Sequence, residues 1–145
     1  MILLDTSVLV YAVGVGHPLR EPCRAVIAAI GAGHLAATTT VEVLQEFAHV
    51  RARRRGREDA AALTEHFATL LTPLITVDHD DLLLGLREFR QHESLGAFDA
   101  VLAAVAQRRE HVTALVSADR AFGGIPALVH LDPAAPGFIE RLPTA

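Results

Sequence analysis

Two kinds of hydrophobic pattern alternate along this chain. Short unbroken apolar runs suit strands buried on both faces. Longer stretches with apolar residues three and four apart suit helices that present one face to a core. Ile2, Leu3 and Leu4 make a run of the first kind that ends at Asp5. Thr6 stands where a helix reaching about residue 13 takes its cap, and Gly14, Gly16 and Pro18 break it. A second helix is expected over 20–30, with Ala25, Ile27, Ala28 and Ile30 on its apolar side. Residues 35–37 read as a short strand. One of Thr38, Thr39 and Thr40 then caps a helix with Val43, Leu44, Phe47 and Val50 at helical spacing. Gly56 interrupts that helix and another follows over 58–71. Past Pro73 the run 74–77 reads as a third strand. Helices over 80–91 and 97–109 come next, then strands at 114–116 and 128–131.

Strands separated by helices predict an α/β fold, with a central parallel sheet of about four to five short strands and helices on both faces. The length, 145 residues, suits one domain over 1–145. In such sheets ligands sit beyond the carboxyl ends of the strands.

That rule draws attention to four acids. Asp5 follows the first strand directly, and Asp119 follows the 114–116 strand with Ser117 between them. Glu42 falls in the first turn of the helix after the 35–37 strand. Asp99 falls in the first turn of the helix leading into 114–116. A crossover helix runs antiparallel to its strands, so its N-terminus lies at their carboxyl edge, and all four acids map there. Any one of them could simply complement a helix dipole. Together they repel, and each pKa rises unless a cation intervenes. Oxygen ligands of this kind suit Mg²⁺ or Mn²⁺, which activate water and neutralise charge on a phosphodiester. One ion or two remains open. Glu46 lies one helical turn after Glu42 on the same face; spacing from the strand favours Glu42.

Composition removes several alternatives. The chain has no Lys, so a P-loop and a pyridoxal Schiff base are excluded, and all thirteen basic residues are Arg. The single Cys, Cys23, permits no internal disulfide or multi-Cys metal site, and reads as a small buried apolar residue. Trp is absent, which leaves little for a base-stacking platform. The net charge of −4 argues against a nucleic-acid coat protein. No signal-peptide pattern opens the chain, and no apolar run approaches the ~18 residues of a membrane span. A soluble cytoplasmic protein is expected.

Arg51, Arg53, Arg54, Arg55 and Arg57 crowd the end of the Glu42 helix. They complement the helix dipole, and they also make a patch able to grip phosphate or an acidic partner segment. The eight His form no HExxH motif and read as surface or structural residues. Gly31–Ala36 fits G-x-G-x-x-A only formally, since it follows a helix and precedes a strand.

The opening Met-Ile-Leu-Leu-Asp5-Thr6-Ser7 resembles that of PIN-domain ribonucleases. Thr38-Thr39-Thr40-Val41-Glu42, Asp99-Ala100 followed by Ala103-Ala104, and Ser117-Ala118-Asp119-Arg120-Ala121-Phe122 resemble the family's later acidic motifs in order. The resemblance runs along essentially the whole chain, in the short form of the VapC toxins of bacterial toxin–antitoxin pairs. It implies a PIN-like fold and a Mg²⁺- or Mn²⁺-dependent endoribonuclease leaving a 5′-phosphate and a 3′-hydroxyl. It also implies a VapB-like antitoxin partner and a homodimer. By motif match, Asp5 and Asp99 are the direct metal ligands and Glu42 and Asp119 complete the site. Ser7 and Ser117 orient the acids, and Arg51, Arg53, Arg54 and Arg55 are candidates for RNA binding. Haloacid-dehalogenase-like phosphatases and response-regulator receivers also place an Asp after their first strand, but both use a Lys. The remaining alternatives are a PIN nuclease of RNA processing and a PIN-like module without catalysis.

Overall fold

A computed structural model describes residues 1–143. Its centre is a four-stranded parallel sheet of β1 (Ile2–Leu4), β2 (Ala37–Thr38), β3 (Ala114–Val116) and β4 (His130–Leu131), in the order β2-β1-β3-β4. Ile2 pairs with Ala37 on one side and with Ala114 on the other, and Val116 pairs with Leu131. Ile2, Leu3 and Leu4 all have zero exposure, so both faces of β1 are covered. The strand order reverses between β1 and β3, which makes their carboxyl ends the natural crevice of the sheet. The backbone N–H of Asp5 donates to the Val116 carbonyl across that seam at 3.0 Å.

Among the described residues, six α-helices flank the sheet: α1 (Thr6–Ala12), α2 (Arg20–Gly31), α3 (Val41–Arg55), α4 (Arg57–Leu70), α5 (His79–Gln91) and α6 (Ala97–Arg108). α3 and α4 form a hairpin that turns at Gly56, whose φ of +88° suits glycine. Phe47 and Phe67 meet edge to face across the hairpin, with ring centroids 5.1 Å apart. Arg51 ties the hairpin together: its Nε and one terminal nitrogen donate to the two oxygens of Asp59, and its other terminal nitrogen donates to the Val13 carbonyl at 3.2 Å.

α5 and α6 form a second hairpin. A Cβ on Gly85 would stand 2.7 Å from the Val101 Cα, so only glycine permits this approach. Asp78 and Asp81 form a reciprocal capping box at the start of α5. Fully buried Asp81 also receives a two-pronged contact from Arg109, at 3.0 and 2.7 Å, and a short bond from Arg108. Burial alone would raise the Asp81 pKa; the bonds from Arg109, Asp78 and Arg108 overcome it and hold the carboxyl below its usual range.

Two expected strands differ. The run 74–77 is not a strand: only Ile75 pairs, in an isolated parallel bridge with Thr40. Thr40 already caps α3, accepting from the Val43 N–H, so the chain it would pair with turns away. The strand expected over 128–131 shortens to His130–Leu131, because Ala127 turns with φ +61° and the Leu128 N–H bonds back to Ile125.

Replacing Asp81 with Ala unties α5 from the end of α6 and should cost about 3 kcal/mol in urea unfolding at pH 7. Both Asp78, held at about 2, and Asp81 have depressed pKa values, so their stabilisation is present above pH 4 and lost as the pH falls through 3 and below. The difference between the two proteins should shrink over that same range.

Candidate active site

Asp5 occupies the end of β1 and caps α1. Only 5% of it is exposed, so its charge must be met from within. Oδ2 accepts from the Ser7 hydroxyl at 2.6 Å, the Ser117 hydroxyl at 2.8 Å and the Ser7 backbone N–H at 3.2 Å. The same two hydroxyls accept from the next loop: Ser7 Oγ from the Ala118 N–H and Ser117 Oγ from the Asp119 N–H, both at 3.0 Å. Ser7 and Ser117 therefore bind the loop after β3 to the loop after β1. Asp119 closes the arrangement by accepting from the Ala121 N–H at 2.9 Å, which starts the 3-10 turn Arg120–Gly124. His130 Nε2 bonds the Ser117 carbonyl oxygen at 2.8 Å, a support that an isolated His in the sequence did not signal.

Asp99 lies in the first turn of α6 and takes none of the hydrogen bonds that steady Asp5. Burial first, then the charges of Asp5, Asp119 and Glu46, push its carboxyl up to about 7. Four carboxylates are thus electrostatically joined, and the fourth is Glu46. Its Oε2 accepts from the Thr6 hydroxyl at 2.5 Å, which anchors it beside the Asp5 loop.

Glu42, which the spacing favoured, is not among the charges acting on Asp99. α3 begins at Val41, so Glu42 sits at its very tip, whereas Glu46 stands one turn along, where α3 passes the start of α1. Glu42 instead lines a separate small cavity, and its Oε2 is sealed from water with no hydrogen-bond partner among the described residues. The structure places the Arg51 guanidinium against Asp59 and Val13, with its side chain 15% exposed, rather than on the open basic surface. Arg53, Arg54 and Arg55 remain on the surface, and Arg54 and Arg55 line a groove of about 340 Å³ beside Tyr11 and His17. Cys23 is buried as expected; burial, with Asp132 adding to it, pushes its thiol up to about 12.

The three threonines after β2 also shape the site. Thr38 donates to the Pro73 carbonyl at 2.7 Å, Thr39 donates to the Leu4 carbonyl at 2.8 Å, and Thr40 caps α3. Their hydroxyls fix where α3 starts, and hence where Glu46 falls.

The donor set fits a hard divalent cation: all-oxygen, anionic, and with one carboxyl held partly protonated by burial and by its neighbours. Among the described residues, no three acidic, His or Cys groups already stand at coordinating distance. Mg²⁺ needs no such cage, because it is held by one or two carboxylates and keeps several waters.

The family model of the PIN domain matches residues 2–128. The chain is 51% identical to Ribonuclease VapC7 of Mycobacterium tuberculosis across 98% of each protein. It is 35% identical to Ribonuclease VapC23 of the same species, over 75% of this chain and 86% of that one. Among solved structures, M. tuberculosis VapC20, described as a toxin that cleaves the sarcin–ricin loop, superposes with a TM-score of 0.69 at 18% identity, over 85% of this chain and 93% of that one. VapBC2 of Rickettsia felis, solved on a fragment of promoter DNA, superposes with a TM-score of 0.68 at 19% identity, over 91% and 98%. A toxin–antitoxin complex of Klebsiella pneumoniae gives 0.65 at 17% identity, over 94% and 100%. A parallel sheet with acids at its switch point defines the class, and the chain belongs to the PIN-domain family and, within it, to the VapC ribonucleases.

A raised carboxyl pKa has a consequence for stability. From pH 4 to 7 the folded metal-free protein holds a proton on Asp99 that the unfolded chain has released, so stability falls as the pH rises through that range and is level above it. Asp99→Asn never charges. In EDTA it should be no more stable than the parent protein at pH 4 and, allowing for screening at a partly exposed site, more stable by about 2 kcal/mol at pH 8. Thermal unfolding at the two pH values measures this.

Proposed function

We propose that this protein is a Mg²⁺- or Mn²⁺-dependent endoribonuclease, the toxin of a toxin–antitoxin pair, which works in the cytoplasm and is restrained by a VapB-like antitoxin. The observation that carries the reading is the convergence of Asp5, Glu46, Asp99 and Asp119 on one crevice, with Asp99 driven to about 7 by burial first and then by these neighbours. Identity of 51% to Ribonuclease VapC7 over the whole chain supports it, and the toxin–antitoxin complexes among the structural neighbours support the partner. Among the described residues, no helix is long and apolar enough to cross a membrane.

In this reading Asp5 and Asp99 hold the cation directly, and Glu46 and Asp119 complete its surroundings. The cation supplies activation of water and neutralisation of charge on the phosphodiester. Ser7 and Ser117 are positioning residues: their hydroxyls hold the Asp5 carboxyl in place at the crevice. Thr6 does the same for Glu46. The raised Asp99 gives up its proton as the cation arrives, so binding should release protons near neutral pH. Arg54 and Arg55 lie about 12 Å along α3 from Glu46, by the rise of the helix, within reach of the phosphates of a bound strand. Arg53 sits beside them on the same exposed turn. Assembly as a homodimer is part of the same proposal.

Purified protein, free of any partner, should cut single-stranded or hairpin RNA with Mn²⁺ or Mg²⁺ and stop in EDTA. Asp99→Asn and Glu46→Gln should each lose about 100-fold or more. Cleavage that persists in EDTA, or in Asp99→Asn, would contradict the proposal.

A further inference from the structure

Ser117 joins the Asp119 loop to Asp5, and each of its polar atoms is engaged. The residue is fully buried. Its N–H donates to the Leu131 carbonyl at 3.2 Å. Its hydroxyl donates to Asp5 Oδ2 at 2.8 Å and accepts from the Asp119 N–H at 3.0 Å. Its carbonyl oxygen meets His130 Nε2 at 2.8 Å.

That last partner stands in for a missing one. β3 and β4 are parallel, with Val116 opposite Leu131. In a parallel ladder, a residue that donates to one position of the neighbouring strand accepts from the position two further on. Ser117 donates to Leu131, so its carbonyl would next accept from the N–H of residue 133. Residue 133 is Pro133, which has no N–H. A buried carbonyl without a donor is unfavourable. His130 supplies the donor from its side chain. Because a carbonyl only accepts, Nε2 carries the proton of this bond.

The His130 ring is held from the same loop. It packs against the buried Phe122 ring, with centroids 5.9 Å apart. A Cβ on Gly123 would lie 3.5 Å from its Nδ1. Phe122 and Gly123 belong to the 3-10 turn that Asp119 caps. His130 therefore bonds the first residue of the Asp119 loop and packs against its far end. The Ser117 carbonyl and the Ala118 N–H are opposite ends of one planar peptide. His130 holds one end, and Ser7 Oγ holds the other at 3.0 Å. Pinned at both ends, this peptide cannot turn, and its plane sets the direction in which the chain runs on to Asp119.

We propose that His130 is a positioning residue of the ribonuclease centre: by pinning the peptide between Ser117 and Ala118 it places the Asp119 carboxyl and keeps the Ser117 hydroxyl on Asp5. The proposal rests on the ribonuclease function above.

Three variants separate the bond from the packing. His130→Phe keeps a ring against Phe122 but has no donor. His130→Asn carries its amide where Nδ1 stands, too short for the carbonyl. His130→Gln carries its amide where Nε2 stands. With hairpin RNA and Mn²⁺, kcat should fall about tenfold in His130→Phe and in His130→Asn, with KM within about twofold, and His130→Gln should stay within about threefold of the parent. In the metal-free protein, amide hydrogen exchange at Ala118 and Asp119, read by NMR, should quicken about tenfold in the first two variants and return in His130→Gln. Urea unfolding confirms that each variant is folded, and either of the first two suffices if the other is not. Unchanged exchange in the variants without the bond overturns the proposal whatever the rate of cleavage, and so does a loss that His130→Gln shares in full. If the parent protein cuts no RNA, the ribonuclease function fails. Exchange then decides the role of His130 alone: quickened and rescued by Gln, the pinned peptide stands; unchanged, it falls.

Discussion

Mutual repulsion among carboxylates is the constraint around which this protein is arranged. Two like charges about 6 Å apart repel by about 3 kcal/mol at an effective dielectric constant of about 20. That is a sizeable share of the 5–15 kcal/mol that holds a typical domain together. The chain has no Lys, and among the described residues no Arg or His forms an ion pair with Asp5, Glu46, Asp99 or Asp119. The two central acids meet the problem differently. Asp5 is met inside the fold by three hydrogen bonds from Ser7 and Ser117. Asp99 lacks such donors and yields by protonation instead.

The surrounding framework keeps the acids from spreading apart. β1 and β3 lie side by side at the point where strand order reverses, and the Asp5–Val116 backbone bond closes their ends together. Thr39 holds the start of α3 against Leu4, so Glu46 is delivered to the same edge. Arg51 and Asp59 lock the α3–α4 hairpin, and Asp81 with Arg108 and Arg109 locks α5 to α6. Each ion pair stands away from the acid cluster. Rigidity is supplied from a distance while the crevice itself stays anionic.

Much of this was legible before any coordinates. Strands 2–4 and 114–116 appear where expected because each is a fully apolar run closed by a polar residue. Asp5, Asp99 and Asp119 could be placed because strand ends and helix starts fall at one edge of any parallel sheet. The choice between Glu42 and Glu46 could not. The two differ by only about 40° around α3, and what separates them is where α3 passes Thr6, a tertiary contact with no local signature. Arg51 was hidden for a similar reason: its partner Asp59 lies beyond the Gly56 turn, so a run of five Arg in sequence becomes one clamp and four exposed cations in space. The 74–77 run has strand composition, but its neighbour Thr40 is already committed to a helix cap. Ser7 and Ser117 were visible as hydroxyls beside the acids, and their shared hold on Asp5 emerged only from the fold.

A metal-centre role for the four acids is tested most directly by the metal alone. Calorimetric titration of Mn²⁺ into the metal-free protein should give a saturable site with proton release near pH 7. Affinity should fall by about tenfold or more in Glu46→Gln and in Asp99→Asn, and should hold in Glu42→Gln. Mn²⁺ binding that depends on Glu42 and is indifferent to Glu46, or no saturable binding at all, would contradict a centre built from Asp5, Glu46, Asp99 and Asp119.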